Sequence, residues 1–289
     1  MPELPEVETV CRGLKGVLEG RRLARVQVRR KDLRIPFPPA FAETLTGRKV
    51  MRIRRRAKYM LLDLDDGNVL IVHLGMSGRM VVDTSGGPPG KHDHVVFTTD
   101  KGAEIRFNDP RRFGLMTLVP TDELANHKLF RHLGPDPLTP EFTPAVLSAA
   151  LKGRKTSIKA ALLDQRIVVG VGNIYACESL YRAGISPLRK AGSVAGERAA
   201  KLVPAIKKVL ADAIAAGGSS LRDHVQPSGE LGYFQHAWKV YGREGESCAC
   251  RGDKGGDKGR GKAANKGKGL VRRITQGGRS TFYCAGCQT

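Results

Sequence analysis

Near Pro120 the hydrophobic pattern of this chain changes period, and no single layer of secondary structure can satisfy both sides of that point. From Arg25 to about Leu118 the apolar residues fall in short β-rich runs: Val26–Val28, Arg52–Arg56, Tyr59–Leu64, Val69–Leu74, Val95–Thr99, Glu104–Phe107 and Leu115–Val119. Asp65-Asp66-Gly67-Asn68 and Asp100-Lys101-Gly102 read as hairpin connections. Strands this numerous at short intervals predict a β-sandwich or a barrel. Beyond Pro120 the spacing is helical, with segments near Asp122–His132, Pro144–Leu151, Ser157–Asp164, Ile174–Ala183 and Ala195–Ala216. The expected fold class is therefore α+β and multidomain.

A helix also opens the chain. From Glu6 to Glu19, Val7, Val10, Cys11, Leu14, Val17 and Leu18 recur at helical spacing and make one apolar stripe. Pro5 suits a first turn, and Glu3, Glu6 and Glu8 complement the positive end of the helix dipole. Cys11 lies on the stripe and is expected as a packed thiol. Leu133-Gly134-Pro135-Asp136-Pro137 interrupts helix on either side and is the expected boundary between domains 1–134 and 135–238, with a third part at 239–289. Within that third part, about 251–268 is almost all Gly, Lys, Arg, Asp and Ala, a composition that predicts a disordered basic loop. Short strands are expected at Leu270-Val271 and Ser280–Tyr283.

In 289 residues, enough for more than one core, 49 Lys and Arg stand against 28 Asp and Glu, a formal net charge of +21. Such a field attracts a polyanion: nucleic acid first, an anionic membrane surface second. Charge alone does not choose between them. Met1-Pro2-Glu3-Leu4-Pro5-Glu6 is acidic where a secretory signal is basic and apolar, and no stretch approaches the roughly 20 apolar residues of a membrane span, so a cytoplasmic protein is expected. Four of the six cysteines lie after Ser247, and in a reducing compartment that clustering points to a metal.

Met1-Pro2-Glu3-Leu4-Pro5-Glu6-Val7-Glu8-Thr9 resembles the start of the bacterial formamidopyrimidine-DNA glycosylases nearly letter for letter. The chemistry beneath the resemblance is that trimming of the initiator methionine before proline leaves a secondary amine. A free α-amino group has a pKa of roughly 7.7–8.0 against about 10.4 for lysine, so much more of it is nucleophilic near neutrality. The resemblance implies that Pro2 attacks the sugar C1′, that Glu3 moves protons at the opened sugar, and that Lys58, in Arg54-Arg55-Arg56-Ala57-Lys58-Tyr59, grips the phosphate flanking the lesion. It also implies an N-terminal β-sandwich with flanking helices, a helical helix-two-turns-helix domain and a C-terminal β-hairpin zinc finger. Duplex DNA carrying damaged bases is the implied partner, held in a basic cleft between domains, and oxidised purines are the implied substrates.

Further motifs follow in the family's order. His73-Leu74-Gly75-Met76-Ser77-Gly78 and Asn108-Asp109-Pro110-Arg111-Arg112-Phe113-Gly114 are glycine-bounded loops displaying large side chains. The resemblance implies that Met76, Arg111 and Phe113 enter the duplex where the damaged nucleotide has been flipped out, restoring part of the few kcal/mol lost in unstacking. Ile167–Tyr175, with Gly170 and Gly172, is similar to the helix-two-turns-helix turn; Asn173 and Lys159 match its phosphate-binding positions, and His92 and Lys155 are further implied DNA contacts. Gly217–Arg222 and Gln226–Phe234 resemble the family's mobile region over the extruded base, with Arg222 an implied DNA contact.

Cys248, Cys250, Cys284 and Cys287 look like the four thiolates of the family's zinc hairpin, with Arg279 matching its catalytic, DNA-binding arginine. The first pair departs from the pattern, being Cys-x-Cys instead of Cys-x-x-Cys. Residues i and i+2 of an extended chain lie roughly 6.5 Å apart, whereas tetrahedral zinc wants its sulfurs about 3.8 Å apart, so a local bend at Ala249 is required. The basic insert between the pairs adds only about 0.6 kcal/mol of closure entropy per doubling of loop length, and is expected to add nonspecific phosphate affinity. Zinc is the one cofactor expected, no small-molecule cofactor is required, and with no oligomer seam in the pattern a monomer is expected. Two other readings remain open: an endonuclease VIII-type glycosylase for oxidised pyrimidines, which Arg111 and Phe113 oppose, and an inactive damage-binding protein, which Pro2, Glu3 and Lys58 oppose.

Overall fold

The computed structural model describes residues 2–220, 226–251 and 269–289. The chain divides into two compact units, Met1–Leu133 with Asp212–His236, and Gly134–Ala211 with Ala237–Thr289. In the first unit, α1 (Leu4–Leu18) starts from an extended Glu3, and Glu3 and Glu6 form a reciprocal capping box. The predicted apolar stripe is the buried one: Leu4, Val7, Val10, Cys11, Leu14 and Leu18 are almost fully covered. They face two antiparallel four-stranded sheets. One has the order β1 (Leu23–Val28), β6 (Asp93–Thr99), β7 (Glu104–Asn108), β5 (Arg79–Asp83). The other has the order β2 (Val50–Arg56), β3 (Tyr59–Leu64), β4 (Asn68–His73), β8 (Leu115–Pro120).

The sandwich follows from alternation. Val26, Met80, Phe97, Ile105 and Phe107 from the first sheet meet Ile53, Met60, Leu62, Leu70 and Val72 from the second, with α1 sealing the same core. The alternate residues of β3 and β4, Leu61, Val69 and Ile71, are buried too, under Val119 and Phe130. Both faces of β4 are covered, which is why Val69-Leu70-Ile71-Val72 is a continuous apolar run. A short helix α2 (Phe41–Leu45) packs on β1.

The second unit holds α3 (Pro144–Leu151), α4 (Ile158–Leu163), α5 (Asn173–Arg182), most of α6 (Glu197–Ala215) and the hairpin β9 (Val271–Gln276)–β10 (Arg279–Cys284). Thr143 caps α3 and Ser157 caps α4 through their hydroxyls. The hairpin turns on Gly277 and Gly278, both at positive φ (54° and 72°), a conformation only glycine adopts without strain. Cys177 of α5, Val240, Val271 and Phe282 form the apolar contact that seats it, with Tyr181 and Tyr241 packed alongside. The carboxylate of Glu178, itself buried, accepts the backbone N–H groups of Lys239, Val240 and Tyr241 at 2.8–2.9 Å.

The sequence reading departs from the structure in three places. Strand β5 was not anticipated, nor was α2. Asp122–His132 is not a continuous helix but a short 3-10 turn, Thr121–Asn126, followed by turns. Leu124, Leu129, Phe130 and Leu133 reach the outer face of the second sheet from that irregular path, so helical periodicity is not needed to bury them. The expected basic loop of about 251–268 falls, beyond Arg251, outside the described residues. Among the described residues no helix is long and apolar enough to cross a membrane.

Charged acceptors of backbone N–H bonds are worth about 1.5–3 kcal/mol each. Glu178→Gln should therefore speed hydrogen exchange of the 239–241 amides by roughly ten- to a hundredfold, measured by mass spectrometry on that peptide, with the β-sandwich amides unchanged.

Candidate active site and metal centre

Pro2 and Glu3 are both buried at the start of α1, Glu3 being 3% exposed. The N–H of Glu3 donates to Glu6 Oε2 at 2.9 Å, and the other oxygen of Glu6 accepts the N–H of Ser219 at 2.8 Å. One buried carboxylate thus ties the chain beside Pro2 to the segment 217–220. Pro227, on the far side of residues 221–225, accepts the N–H of Val82 at 2.8 Å through its carbonyl and presses on Gly13, where a Cβ would come within 2.8 Å of the proline ring. Arg222 lies outside the described residues.

Lys58 sits at the turn joining β2 to β3, which is made by Ala57 at φ 55°. The guanidinium of Arg55 donates to the Ala57 carbonyl at 3.1 Å and to Glu8 of α1 at 3.0 Å, fixing this turn against the helix that carries Pro2 and Glu3. Lys58 is 8% exposed. Its charge is felt by His73: burial first, then Lys58 and Arg34, push the imidazole down to about 4. The neutral ring accepts the N–H of Gly75 at Nδ1, 3.0 Å away, which shapes the start of the next loop.

That loop and the loop of 109–114 are built as one piece. Asp109 is fully buried; its carboxylate takes the Ser77 hydroxyl at 2.6 Å and the N–H of Gly114 at 2.8 Å. Ser77 Oγ in turn accepts the N–H of Arg111 at 3.2 Å. At Gly75 (φ 64°) a Cβ would lie 2.3 Å from the Phe113 carbonyl carbon, so only glycine permits the approach. On this base Met76, Arg111 and Phe113 point outward and are exposed, with the Arg111 guanidinium 5.0 Å from the Phe113 ring centre. His92 is half-buried nearby in sequence, its backbone carbonyl accepting the Asp109 N–H at 3.0 Å.

In the second unit the turn between α4 and α5 is clamped by Gln165, which accepts the Gly170 N–H at 2.7 Å and donates to the Val171 carbonyl at 3.1 Å. Lys155 and Arg279 are exposed. Lys159 and Asn173 both meet the second strand of the hairpin. Lys159 is 1% exposed, and its ammonium donates to the Ser280 carbonyl at 2.9 Å and the Thr281 hydroxyl at 2.7 Å. Asn173 Nδ2 donates to the same Ser280 carbonyl, also at 2.9 Å. Both hold the strand beside Arg279, which shares a cavity of about 300 Å³ with Lys159, Asp164 and Gln276.

The four cysteine sulfurs all lie within 4.8 Å of one another. Cys248 and Cys287 are 3.8 Å apart, Cys250 and Cys284 3.5 Å, close to the roughly 3.8 Å of a tetrahedral Zn–S₄ site. The required bend is present: Ala249–Arg251 is a 3-10 turn, and the Cys250 N–H points back to Cys248 Sγ at 3.4 Å. The donor set fits a soft divalent metal. Sequence reasoning singled out these four cysteines, which the structure gathers into one cluster, but gave no role to Ser77, Asp109, Glu178 or Gln165 and only a helix-dipole role to Glu6.

Residues 1–116 match the profile of the formamidopyrimidine-DNA glycosylase N-terminal domain and 133–225 that of its H2TH domain. The chain is 57% identical over 298 residues to the formamidopyrimidine-DNA glycosylase of Ruegeria pomeroyi, covering 100% of both, and 56% identical over 289 residues to that of Acidiphilium cryptum, again covering 100% of both. Among solved structures it is similar to the MutM (Fpg) protein of Thermus thermophilus, with 37% identity, a TM-score of 0.83 and coverage of 99% of this chain and 98% of that one. It is likewise similar to the Lactococcus lactis Fpg solved in complex with DNA containing an abasic site, at 31% identity, a TM-score of 0.83 and 99% coverage of both chains.

One titration is set by this geometry. His73 takes up a proton near 4 in the folded chain and near its ordinary 6.5 when unfolded, so between those values the unfolded state binds more protons and stability falls as pH is lowered through that window. An NMR titration of the His73 ring should give a midpoint near 4, and Lys58→Met should raise it; a midpoint at the ordinary value would contradict the burial and the Lys58 field.

Proposed function

The chain belongs to the formamidopyrimidine-DNA glycosylase family, and from that premise we propose that it excises oxidised purines from duplex DNA and then nicks the strand, with Pro2 as nucleophile. The observation that carries this reading is the N-terminus: Pro2 and Glu3 buried at the head of α1, with Glu3 fixed by Glu6. Removal of Met1 leaves Pro2 a secondary amine. Its lone pair forms a bond to C1′ of the damaged nucleotide as the bond to the base breaks, and the base departs with that electron pair. Loss of the amine proton and transfer of a proton from Glu3 to the sugar ring oxygen open the ring to an iminium. The cationic iminium acidifies C2′; its proton leaves, the C3′–O bond breaks and the 3′ phosphate departs. A second elimination releases the 5′ phosphate. One amine serves both the glycosylase and the lyase steps.

Lys58 supplies a fixed positive charge for the phosphate beside the lesion, Arg111 faces the base left without a partner, and Met76 and Phe113 fill the vacated stack. Arg279, Lys155 and His92 contact the DNA backbone. Lys159 and Asn173 act chiefly by holding the Ser280 carbonyl, and so by aiming Arg279. Cys248, Cys250, Cys284 and Cys287 hold zinc, which when bound closes the hairpin and takes no part in the reaction. The domain division 1–134, 135–238 and 239–289 is the reading by function, with the protein acting as a cytoplasmic monomer on damaged double-stranded DNA. Relatives named for formamidopyrimidine favour oxidised purines over the pyrimidine lesions of the endonuclease VIII type.

Borohydride reduction during reaction with a duplex carrying one 8-oxoguanine should leave the protein covalently attached through residue 2, located by peptide mass spectrometry. Glu3→Gln should lower excision by about a hundredfold or more. Attachment at a lysine, or full activity with Met1 retained, would overturn the assignment.

The Ser77–Asp109 joint makes a separate prediction. Ser77→Ala removes a hydrogen bond to a carboxylate worth about 1.5–3 kcal/mol, so excision of 8-oxoguanine should slow roughly ten- to a hundredfold, whereas nicking of a preformed abasic site, which has no base to extrude, should stay within about twofold. Single-turnover kinetics on the two duplexes read this directly.

A further inference from the structure

We propose that Tyr181 is a positioning residue of the metal centre: its hydroxyl donates a hydrogen bond to the Cys248 thiolate, making α5 part of the site. The inference rests on the reading that the four cysteines hold a metal. Tyr181 Oη lies 3.3 Å from Cys248 Sγ. A metal-bound thiolate has no proton to give, so in the loaded protein the phenol is the donor.

The need for that donor follows from burial and charge. Four thiolates around one divalent ion carry a net charge of −2, and outer donors that offset this charge orient the ligands and strengthen the site. Cys250 is exposed and can be solvated by water; Cys248 is 2% exposed and cannot. Cys284, also buried, receives the N–H of Gly286 at 3.4 Å. Cys248 receives the N–H of Cys250 at 3.4 Å, from within the tight Cys-x-Cys turn, and the hydroxyl of Tyr181. Among the described residues the hydroxyl is a donor from outside the metal-binding segments, so it fixes where the short turn sits.

The placement on α5 is not incidental. Asn173, Glu178 and Tyr181 stand on one helix, and each holds a different part of the metal hairpin's surroundings: the Ser280 carbonyl, the 239–241 amides and Cys248. The Tyr181 ring packs against the apolar cluster of Cys177, Val240, Val271 and Phe282. Tyr181→Phe therefore keeps the ring contact and deletes the hydroxyl alone.

The test uses the full-length chain, wild type and Tyr181→Phe, loaded with zinc and titrated with a chromophoric chelator, and in parallel loaded with cobalt(II). The variant should lose metal to the chelator about tenfold more readily, within the range seen when an outer donor is removed. Its cobalt–thiolate charge-transfer band should move to lower energy, because an unbonded thiolate is the better electron donor. Chelator curves that agree within about twofold, or weaker binding with an unmoved band, would overturn the Tyr181 hydrogen bond while leaving the metal assignment standing. A wild-type chain that takes up no cobalt would overturn the metal assignment itself.

Discussion

Buried carboxylates that accept main-chain N–H groups hold the functional segments of this protein in place. Glu6 joins the start of α1 to residue 219, Asp109 locks the loop bearing Arg111 and Phe113, and Glu178 gathers 239–241. A carboxylate in a dry site is costly unless its lone pairs are filled, and two or three donors, backbone N–H groups and in Asp109 also the Ser77 hydroxyl, fill them with fixed geometry. In a chain whose net charge is +21, the choice of donor has a consequence. Had basic side chains answered these carboxylates, fewer would remain to meet phosphate. Asp109 and Glu178 take backbone and hydroxyl donors, and Arg111 stays exposed.

The sheets show what a sequence can and cannot disclose about a fold. Each of the seven β-rich runs became a strand, and the ends moved by no more than three residues, because alternation and turn chemistry are local. Strand β5 is not legible because Arg79–Asp83 follows directly on the glycine-bounded Gly75–Gly78 loop and holds three consecutive apolar residues between two charges, too short a run to show alternation. The segment near Asp122–His132 reads as helix because its apolar residues have helical spacing, yet it is a surface strip laid on β3 and β4. A flat apolar face accepts side chains from an irregular path as readily as from a helix, so periodicity there carried no information about backbone.

At the site, legibility divides by the range of the interaction. Pro2, Glu3 and Lys58 can be singled out in the sequence because residue type and the order of neighbouring motifs carry the expectation, and the structure adds that all three are buried. Lys159, in α4, and Asn173, at the start of α5, can be singled out by their motif positions, but not as the pair that grips Ser280, more than a hundred residues away in sequence. A lysine that is 1% exposed cannot be told from a surface lysine by its letter. The same holds for Ser77 and Tyr181, whose partners are fixed by tertiary contact alone.

The cysteine hairpin tolerates two departures at once, and the structure gives a common reason. The described residues flanking the basic insert are joined to each other: the Cys248 N–H donates to the Gly269 carbonyl at 2.8 Å, Val271 donates to Glu246 and Gly245 donates to Val271, both at 2.9 Å. With its two ends fastened, an insert of any length adds only a loop-closure cost that grows with the logarithm of its size. The sulfur positions are then set by the short turn at Ala249–Arg251 and by the end of β10, neither of which the insert touches in sequence beyond Arg251. In the Cys-x-Cys pair the 3-10 turn at Ala249–Arg251 brings the Cys250 N–H to 3.4 Å from Cys248 Sγ. The sulfurs lie 3.8 Å (Cys248–Cys287) and 3.5 Å (Cys250–Cys284) apart across the two pairs, close to the spacing a tetrahedral Zn–S₄ site requires.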